Sequence, residues 1–354
     1  MRTKTLQRVC LLLCGVVVLL PVSCDDNPVG PRPGAKNYYF YSNDMSGPIL
    51  LRFAPATGVL DTVNDTLHVG IQNVSADGRY LYVTSGGYMS VYKIETDEYI
   101  RTLPYPTWTT AVSPDGKYVA LFGEQRLGVR LYQIPEYSQI YSDDSAYAVN
   151  GVFSRNSQTL YYIDGSTPER EVAKLDLCGG FRLSRKSVQV MPGGIIQAVP
   201  SIDEKLWFLY SRWDAFGCSF GVYDVAGDSL IYRTDFSPGG GWIVVSPDGS
   251  NVFFTNPGTM LIGPPAPSAF YVYDIPTNTV KEVSTRGLAD DSVLGDYLPV
   301  GPIAISPDGK SLVGARAVNG MDVVVFDVPG QTITNYYYFD QKAWFGNIKC
   351  QTGR

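Results

Sequence analysis

The tetrapeptide Ser-Pro-Asp-Gly recurs at Ser113, Ser246 and Ser306, each time between two short apolar runs. Looser copies begin at Ser75 (SADG), Ser154 (SRNS) and Ser201 (SIDE), and the six serines lie 38, 41, 47, 45 and 60 residues apart. A chain that repeats one short unit must bury it against copies of itself, and about 40 to 45 residues is the length of a four-stranded propeller blade. The turn chemistry is local. Proline presets φ for the second position of a type I turn, aspartate can bond back to the turn amides, and glycine supplies the positive φ that lets a hairpin close. Asp77, Asp115, Asp203, Asp248 and Asp308 are therefore read as turn residues spread around a ring, not as acids converging on a reaction centre.

Each turn is followed by a strand such as Tyr80 to Thr84 or Leu206 to Tyr210, then a variable loop. A third strand with a polar ending comes next: VYKIETDE (91–98), VYDVAGDS (222–229), VYDIPTNT (272–279) and VFDVPGQT (325–332). A fourth follows, as in Tyr99 to Leu103 or Thr332 to Tyr338. The unit is thus strand A, turn, strand B, variable loop, strand C, polar turn, strand D. Composition agrees, because 25 Tyr and 15 Phe set among 36 Gly and 24 Pro suit strands and turns more than helices. The segment NYYFYSND (37–44) has the form of a strand B, with ILLRFAPATG (49–58) as C and VLDTVND (59–65) as D, so the first unit lacks its strand A. The tail AWFGNIKC (343–350) supplies a strand A without a sequel. Pairing the two closes a ring and leaves no free sheet edge at the seam. The expectation is an all-β domain over 37–354, a seven-bladed β-propeller of four-stranded antiparallel blades in which one blade is built from both chain ends.

The stretch LYVTSGGYMSVYKIETDEYIRTL (81–103) is similar to the repeat of YVTN-type propellers, and the SPDGK units resemble those of TolB-like and other WD40-like bacterial propellers. The likeness covers nearly all of 37–354. It implies an axial funnel whose ligands meet the face formed by the D-to-A connections and B-to-C loops. The sequence places Trp108, Trp242 and Tyr297 in D-to-A connections there, and Glu124, Arg126, Arg212, Trp213, Asp214, Arg316 and Asn319 in B-to-C loops. Aromatic rings beside arginines and carboxylates suit a sugar, a peptide or an organic anion. The longest insertion, 255–270, and the long connection 285–299 fall in one quarter of the ring, where a specific contact is expected.

Catalysis has less behind it. His68 is the only histidine and has no nucleophile motif beside it, so a Ser-His-Asp arrangement is unsupported. Because similar seven-bladed propellers include lactonases, the enzyme alternative is hydrolysis of a sugar lactone, with Glu124 or Asp214 as base and Arg126, Arg212 or Arg316 holding an anion. The pairs Asp143-Asp144 and Asp290-Asp291 lack metal-ligand spacing and are read as solvated loop charges. GGGW (239–242) lacks the strand-to-helix setting of a phosphate loop. No metal and no cofactor is expected.

The start of the chain carries an address. A basic stretch, MRTKTLQR, the apolar run Val9 to Leu20 and the ending PVSC make residues 1–23 an expected signal peptide. The run is too short for an ordinary membrane-spanning helix. Its ending resembles a bacterial lipobox, in which the cysteine, here Cys24, is lipidated. Ser23 and Val22 fit, whereas Pro21 stands where such sequences usually have Leu, so simple secretory cleavage is the alternative. Residues 24–36 then read as a lipidated Cys and a polar tether, with membrane contact through the lipid. Without Arg2, Lys4 and Arg8 the chain keeps 25 cationic against 34 acidic residues, a net charge of −9, which repels a phosphate backbone and argues against nucleic-acid binding. An exported setting permits disulfides, with Cys178 and Cys218 as the candidate pair and Cys350 left over, and no Cys/His cluster has zinc spacing. The functional expectation is an envelope-anchored binding or scaffolding module for an envelope protein, a peptide or a glycan. A lactonase-like hydrolase and a subunit of a larger envelope complex are the alternatives.

Overall fold

Short apolar runs separated by turn residues pair with their sequence neighbours, because a hairpin closes the smallest loop. In the computed structural model this happens blade by blade. The structure describes residues 38–44, 47–55, 57–64, 70–75, 78–85, 87–94, 96, 98–107, 109–123, 128–166, 170–188, 191, 194–212, 217–236, 242–256, 269–283, 303–306, 308–317, 321–339 and 344–350. The secondary-structure elements among them are all β-strands.

Blade 1 begins with β1 (Tyr38–Asp44), β2 (Gly47–Ala54) and β3 (Val59–Asn64). Blade 2 is β4 (Gly70–Val74), β5 (Tyr80–Ser85), β6 (Tyr88–Lys93) and β7 (Glu98–Pro106). Blade 3 is β8 (Thr109–Val112), β9 (Tyr118–Gly123), β10 (Gly128–Gln133) and β11 (Ser138–Asp143). Blade 4 is β12 (Ala148–Phe153), β13 (Thr159–Asp164), β14 (Glu171–Asp176) and β15 (Arg182–Ser187). Blade 5 is β16 (Gly194–Pro200), β17 (Leu206–Arg212), β18 (Cys218–Asp224) and β19 (Ser229–Phe236). Blade 6 is β20 (Ile243–Val245), β21 (Asn251–Asn256), β22 (Ala269–Asp274) and β23 (Thr279–Val283). Blade 7 is β24 (Ile303–Ile305), β25 (Ser311–Ala317), β26 (Met321–Asp327) and β27 (Thr332–Phe339). The last strand, β28 (Trp344–Cys350), returns to blade 1 and pairs antiparallel with β1, Tyr38 opposite Cys350 and Asn43 opposite Trp344. Each of the seven sheets therefore has four strands. The first strands β28, β4, β8, β12, β16, β20 and β24 neighbour one another in that order and close the ring. This is a seven-bladed β-propeller with its seam made by the two chain ends, as the repeat predicts.

The turn after each first strand shows what the repeated residues do. Ser113 is buried, its Oγ donates to Asp115 Oδ1 at 2.7 Å, and it accepts from the Tyr118 N–H at 2.9 Å. Asp115 Oδ1 also accepts from the Lys117 N–H at 3.0 Å. The same Ser-to-Asp bond joins Ser201 to Asp203 at 2.7 Å, and Ser246 to Asp248 and Ser306 to Asp308 at 2.6 Å. In blade 4 Asn156 takes the aspartate's place, while Asp77 of blade 2 lies outside the described residues. Gly116 closes its turn at φ 73°, but blades 4 and 5 put Ser157 and Glu204 there at φ 61° and 57°. That conformation costs a non-glycine residue about 1 kcal/mol, and both side chains offset it by reaching the neighbouring blade. Ser157 Oγ accepts from the Asp115 N–H at 3.0 Å, and Glu204 Oε2 accepts from Lys174 Nζ at 2.8 Å and from the Tyr161 hydroxyl.

Each blade is sandwiched between two others, so both of its faces are apolar. Among the described residues, six apolar clusters lie between consecutive blades. Phe122 and Leu131 of blade 3 meet Leu160, Tyr162 and Leu175 of blade 4. Phe220 of blade 5 stacks on Phe254 of blade 6 with ring centroids 4.0 Å apart.

One expectation is corrected. Cys178 does not pair with Cys218: Cys178 sits in the exposed turn after β14 and is disulfide-bonded, whereas Cys218 is a buried thiol that accepts from the Tyr210 hydroxyl at 2.9 Å. The physical reason is strand direction. Cys218 starts a third strand and Cys178 follows the end of one, so the two lie on opposite faces of the ring.

Candidate functional site

Antiparallel order sorts the loops by face. The second and fourth strands of every blade end on the face that carries the B-to-C loops and D-to-A connections, and the first and third strands start there. Three sequence candidates are placed. Arg212 closes β17 opposite Gly194 and Cys218, Trp242 leads into β20, and Arg316 lies in β25 opposite Asp322. They belong to consecutive blades and share this face. Trp242 is half-buried against the apolar cluster between blades 6 and 7. Its backbone N–H donates to Thr255 Oγ1 at 3.3 Å and its backbone carbonyl accepts from the Thr255 N–H at 3.2 Å. Trp108, Glu124, Arg126, Trp213, Asp214, Tyr297 and Asn319 lie outside the described residues. So do Cys24, His68, the Asp290-Asp291 pair, residues 257–268 of the long insertion and all of 285–299.

The same face carries an ionic set that the sequence reading missed. Asp143 ends the fourth strand of blade 3, Asp164 ends the second strand of blade 4, and Arg185 stands in β15. Arg185 Nε donates to Asp164 Oδ2 at 2.8 Å, and its Nη2 donates to Asp143 Oδ2 at 2.6 Å. Asp143 also accepts from the Tyr162 hydroxyl at 2.9 Å and from Ser145 Oγ and N–H at 2.6 and 3.0 Å. Asp164 Oδ1 accepts from the Tyr147 and Ser166 N–H groups, each at 3.0 Å. Asp143 is 8% exposed and Asp164 1%. Half of the Asp143-Asp144 expectation is thus corrected: Asp143 is buried because the D-to-A connection folds it against blade 4. Asp144 stays exposed and pairs with Arg130, whose guanidinium lies 4.4 Å over the Tyr105 ring.

Burial pushes the pKa of Asp143 up, but the hydrogen bonds from Ser145 and Tyr162 and the Arg185 charge outweigh it and hold the group below its ordinary value. Asp164 behaves alike: burial raises its pKa, and the Tyr147 and Ser166 amides with Arg185 bring it below the ordinary value. Burial, followed by the Asp143 charge, pushes the Tyr162 phenol well up. Both carboxylates are ionised acceptors already supplied with donors, so they fix the junction of two blades and carry no proton to give at neutral pH. A D-x-S spacing at Asp143-Ser145 and Asp164-Ser166 marks the two local caps in the sequence, but nothing near them announces Arg185. Among the described residues, no group of His, Cys, Asp and Glu side chains is arranged to hold a metal ion.

The ring and its loop-bearing face define a seven-bladed propeller, and similar solved structures share that fold. A periplasmic gluconolactonase from Pseudomonas aeruginosa has a TM-score of 0.61 at 13% identity, over 89% of this chain and 98% of that one. A candidate 6-phosphogluconolactonase from Bacteroides fragilis has 0.60 at 15%, over 92% and 99%. A functionally unknown protein from Desulfotomaculum acetoxidans has 0.63 at 12%, over 90% and 100%. At such identities the likeness speaks for the fold alone. No family model and no curated protein matches the chain.

Proposed function

We propose that this chain is an exported, lipid-anchored propeller that serves as a binding or scaffolding module at a bacterial envelope, receiving a peptide, a glycan or an envelope protein on the face of the B-to-C loops. One observation carries the reading. Asp143, Asp164 and Arg185 on that face are bonded to one another, to Tyr162 and Ser145 and to the backbone, which fixes the junction beneath the loops and leaves the two carboxylates unsuited to proton transfer. A preformed surface binds without first paying to order itself. The lipid anchor rests on the ending PVSC at Cys24. Cross-linking and co-purification of the intact chain from envelopes should recover a saturable partner that is lost on replacing Arg212 and Arg316. Cys24→Ala should move the protein from the membrane to the soluble fraction, and unchanged fractionation would remove the anchor.

A lactonase-like hydrolase is the second reading, favoured by the fold shared with a periplasmic gluconolactonase and a candidate 6-phosphogluconolactonase. Turnover of a sugar-lactone panel, abolished by Glu124→Gln or Asp214→Asn and by loss of Arg126, Arg212 or Arg316, would displace the binding module. Inactivity across the panel would dismiss the hydrolase.

A further inference from the structure

The first strands of blades 3 to 6 share a position that the turn repeat makes easy to align. Four places before each buried turn serine stand Thr109, Asn150, Gln197 and Trp242. Strand pairing puts them on one level. Thr109 is opposite Phe122, Gln197 is opposite Tyr210, and the Trp242 carbonyl accepts from the Thr255 N–H. Asn150 lies in the bulge between Ala148 and Gly151, whose partners are Asp164 and Tyr162, so it shares Ile163 with Val149. Phe122, Ile163, Tyr210 and Thr255 are themselves equivalent, each nine places past its serine. A second bulge lies between Ile195 and Gln197. Bulges in strands commonly re-aim a side chain.

This level is the loop-bearing end of four adjacent inner strands of the ring. Thr109, Asn150, Gln197 and Trp242 are all half-buried there. β8, β12, β16 and β20 contain no charged residue. Asn150 Oδ1 accepts from the Gly151 N–H at 2.8 Å, which steadies the carboxamide and leaves its Nδ2 donors available. Trp242 is steadied by packing against the cluster between blades 6 and 7.

We propose that this arc binds an uncharged saccharide, with the Trp242 indole stacked on a sugar face and the Asn150 and Gln197 carboxamides bonded to adjacent hydroxyls. The chemistry selects that class. A sugar ring has a C–H face that suits an indole and hydroxyls that both donate and accept, which a carboxamide matches and a single charge does not. A phosphosugar or uronate finds no cation among these four residues, and the Arg170 guanidinium beside β16 is already bonded from Nη1 to the Ile195 carbonyl at 3.0 Å. The proposal deepens the binding-module reading and rests on it.

The test is calorimetric titration of the full chain, in detergent, with neutral tetrasaccharides of glucose, mannose, xylose and N-acetylglucosamine, and with tetragalacturonate as the anionic probe. At least one neutral probe should bind, with affinity unchanged between about 0.05 and 0.5 M salt because no ion pair is screened. Trp242→Ala should weaken it about tenfold or more, and Gln197→Leu and Asn150→Asp about three- to tenfold each. Asn150→Asp keeps the acceptor for the Gly151 N–H, and Trp242→Phe, which keeps an aromatic ring against the blade 6–7 cluster, should retain part of the affinity, so loss of fold is separable from loss of binding. Failure of every neutral probe, preference for tetragalacturonate that fades with salt, or binding indifferent to all three substitutions would overturn the saccharide site. An envelope protein captured equally by the intact chain and by Trp242→Ala, with no neutral saccharide bound by either, would overturn it while leaving the binding module standing; absence of any partner and any saccharide would end both.

Discussion

Arg185 donates from Nε to Oδ2 of Asp164 at 2.8 Å, and through that contact the outer strand of blade 4 holds a carboxylate that is only 1% exposed. Breaking a fully buried pair by removing one partner costs about 3 to 5 kcal/mol. Because the Arg185 side chain is 30% exposed, Arg185→Met should cost less, about 2 to 3 kcal/mol. Arg185→Lys should recover part of this only, since one ammonium cannot fork between Asp164 and Asp143. Urea midpoints at neutral pH measure both, and an unshifted midpoint for Arg185→Met would deny the lock.

The same set makes a pH prediction whose sign follows from the carboxylates. Asp143 and Asp164 have folded pKa values below the ordinary one. Their contribution is therefore complete above the unfolded value of about 3.9 and disappears as pH falls through the lower folded values. The stability gap between the parent and Arg185→Met should be widest at neutral pH and shrink on acidification below about pH 4. A gap that widened in acid would contradict the assignment.

Glu204 allows strain and contact to be separated. Glu204→Gly loses the bonds from Lys174 and Tyr161 but relieves the positive φ, whereas Glu204→Ala loses the bonds and keeps the strain. The parent should be most stable, the glycine variant next, and the alanine variant last by about a further 1 kcal/mol. Chemical denaturation of the three gives the order, and an alanine variant above the glycine variant would refute it.

Ring closure can be cut. Removing residues 343–354 strips β28 from β1 and leaves the β1 backbone groups unpaired at an edge. The shortened chain should lose its single cooperative unfolding transition and self-associate with rising concentration, as sedimentation and thermal scans would show. A peptide of residues 343–350 added in trans should restore part of the transition. A monomeric, cooperative truncated protein would mean that the seam is dispensable.

How much of this was legible in the sequence depends on how far each feature reaches along the chain. The SPDG turns were readable because Ser113, Asp115 and Gly116 act on one another within a few residues, and six copies mark six of the seven blades. The seam was readable because 343–350 has the form of a first strand with nothing to follow. Arg185 was not: its partners are 21 and 42 residues away, and which strand faces which carboxylate depends on how two sheets stack. The cysteine pairing failed for a similar reason, since counting thiols does not say which end of a strand each occupies. The bulges at Asn150 and Gln197 were equally silent, because one extra residue in an inner strand changes neither composition nor turn chemistry.

β1 is the second strand of its blade, so it starts on the face of the SPDG turns, and β28, as a first strand, ends there. Tyr38 and Cys350 therefore lie on the side of the ring opposite the B-to-C loops. A lipid on Cys24, as we propose, would therefore join the body on the side away from the B-to-C loops and leave those loops clear of its own tether. The residues from Cys24 to Asn37, at about 3.5 Å each, cap the standoff at roughly 50 Å.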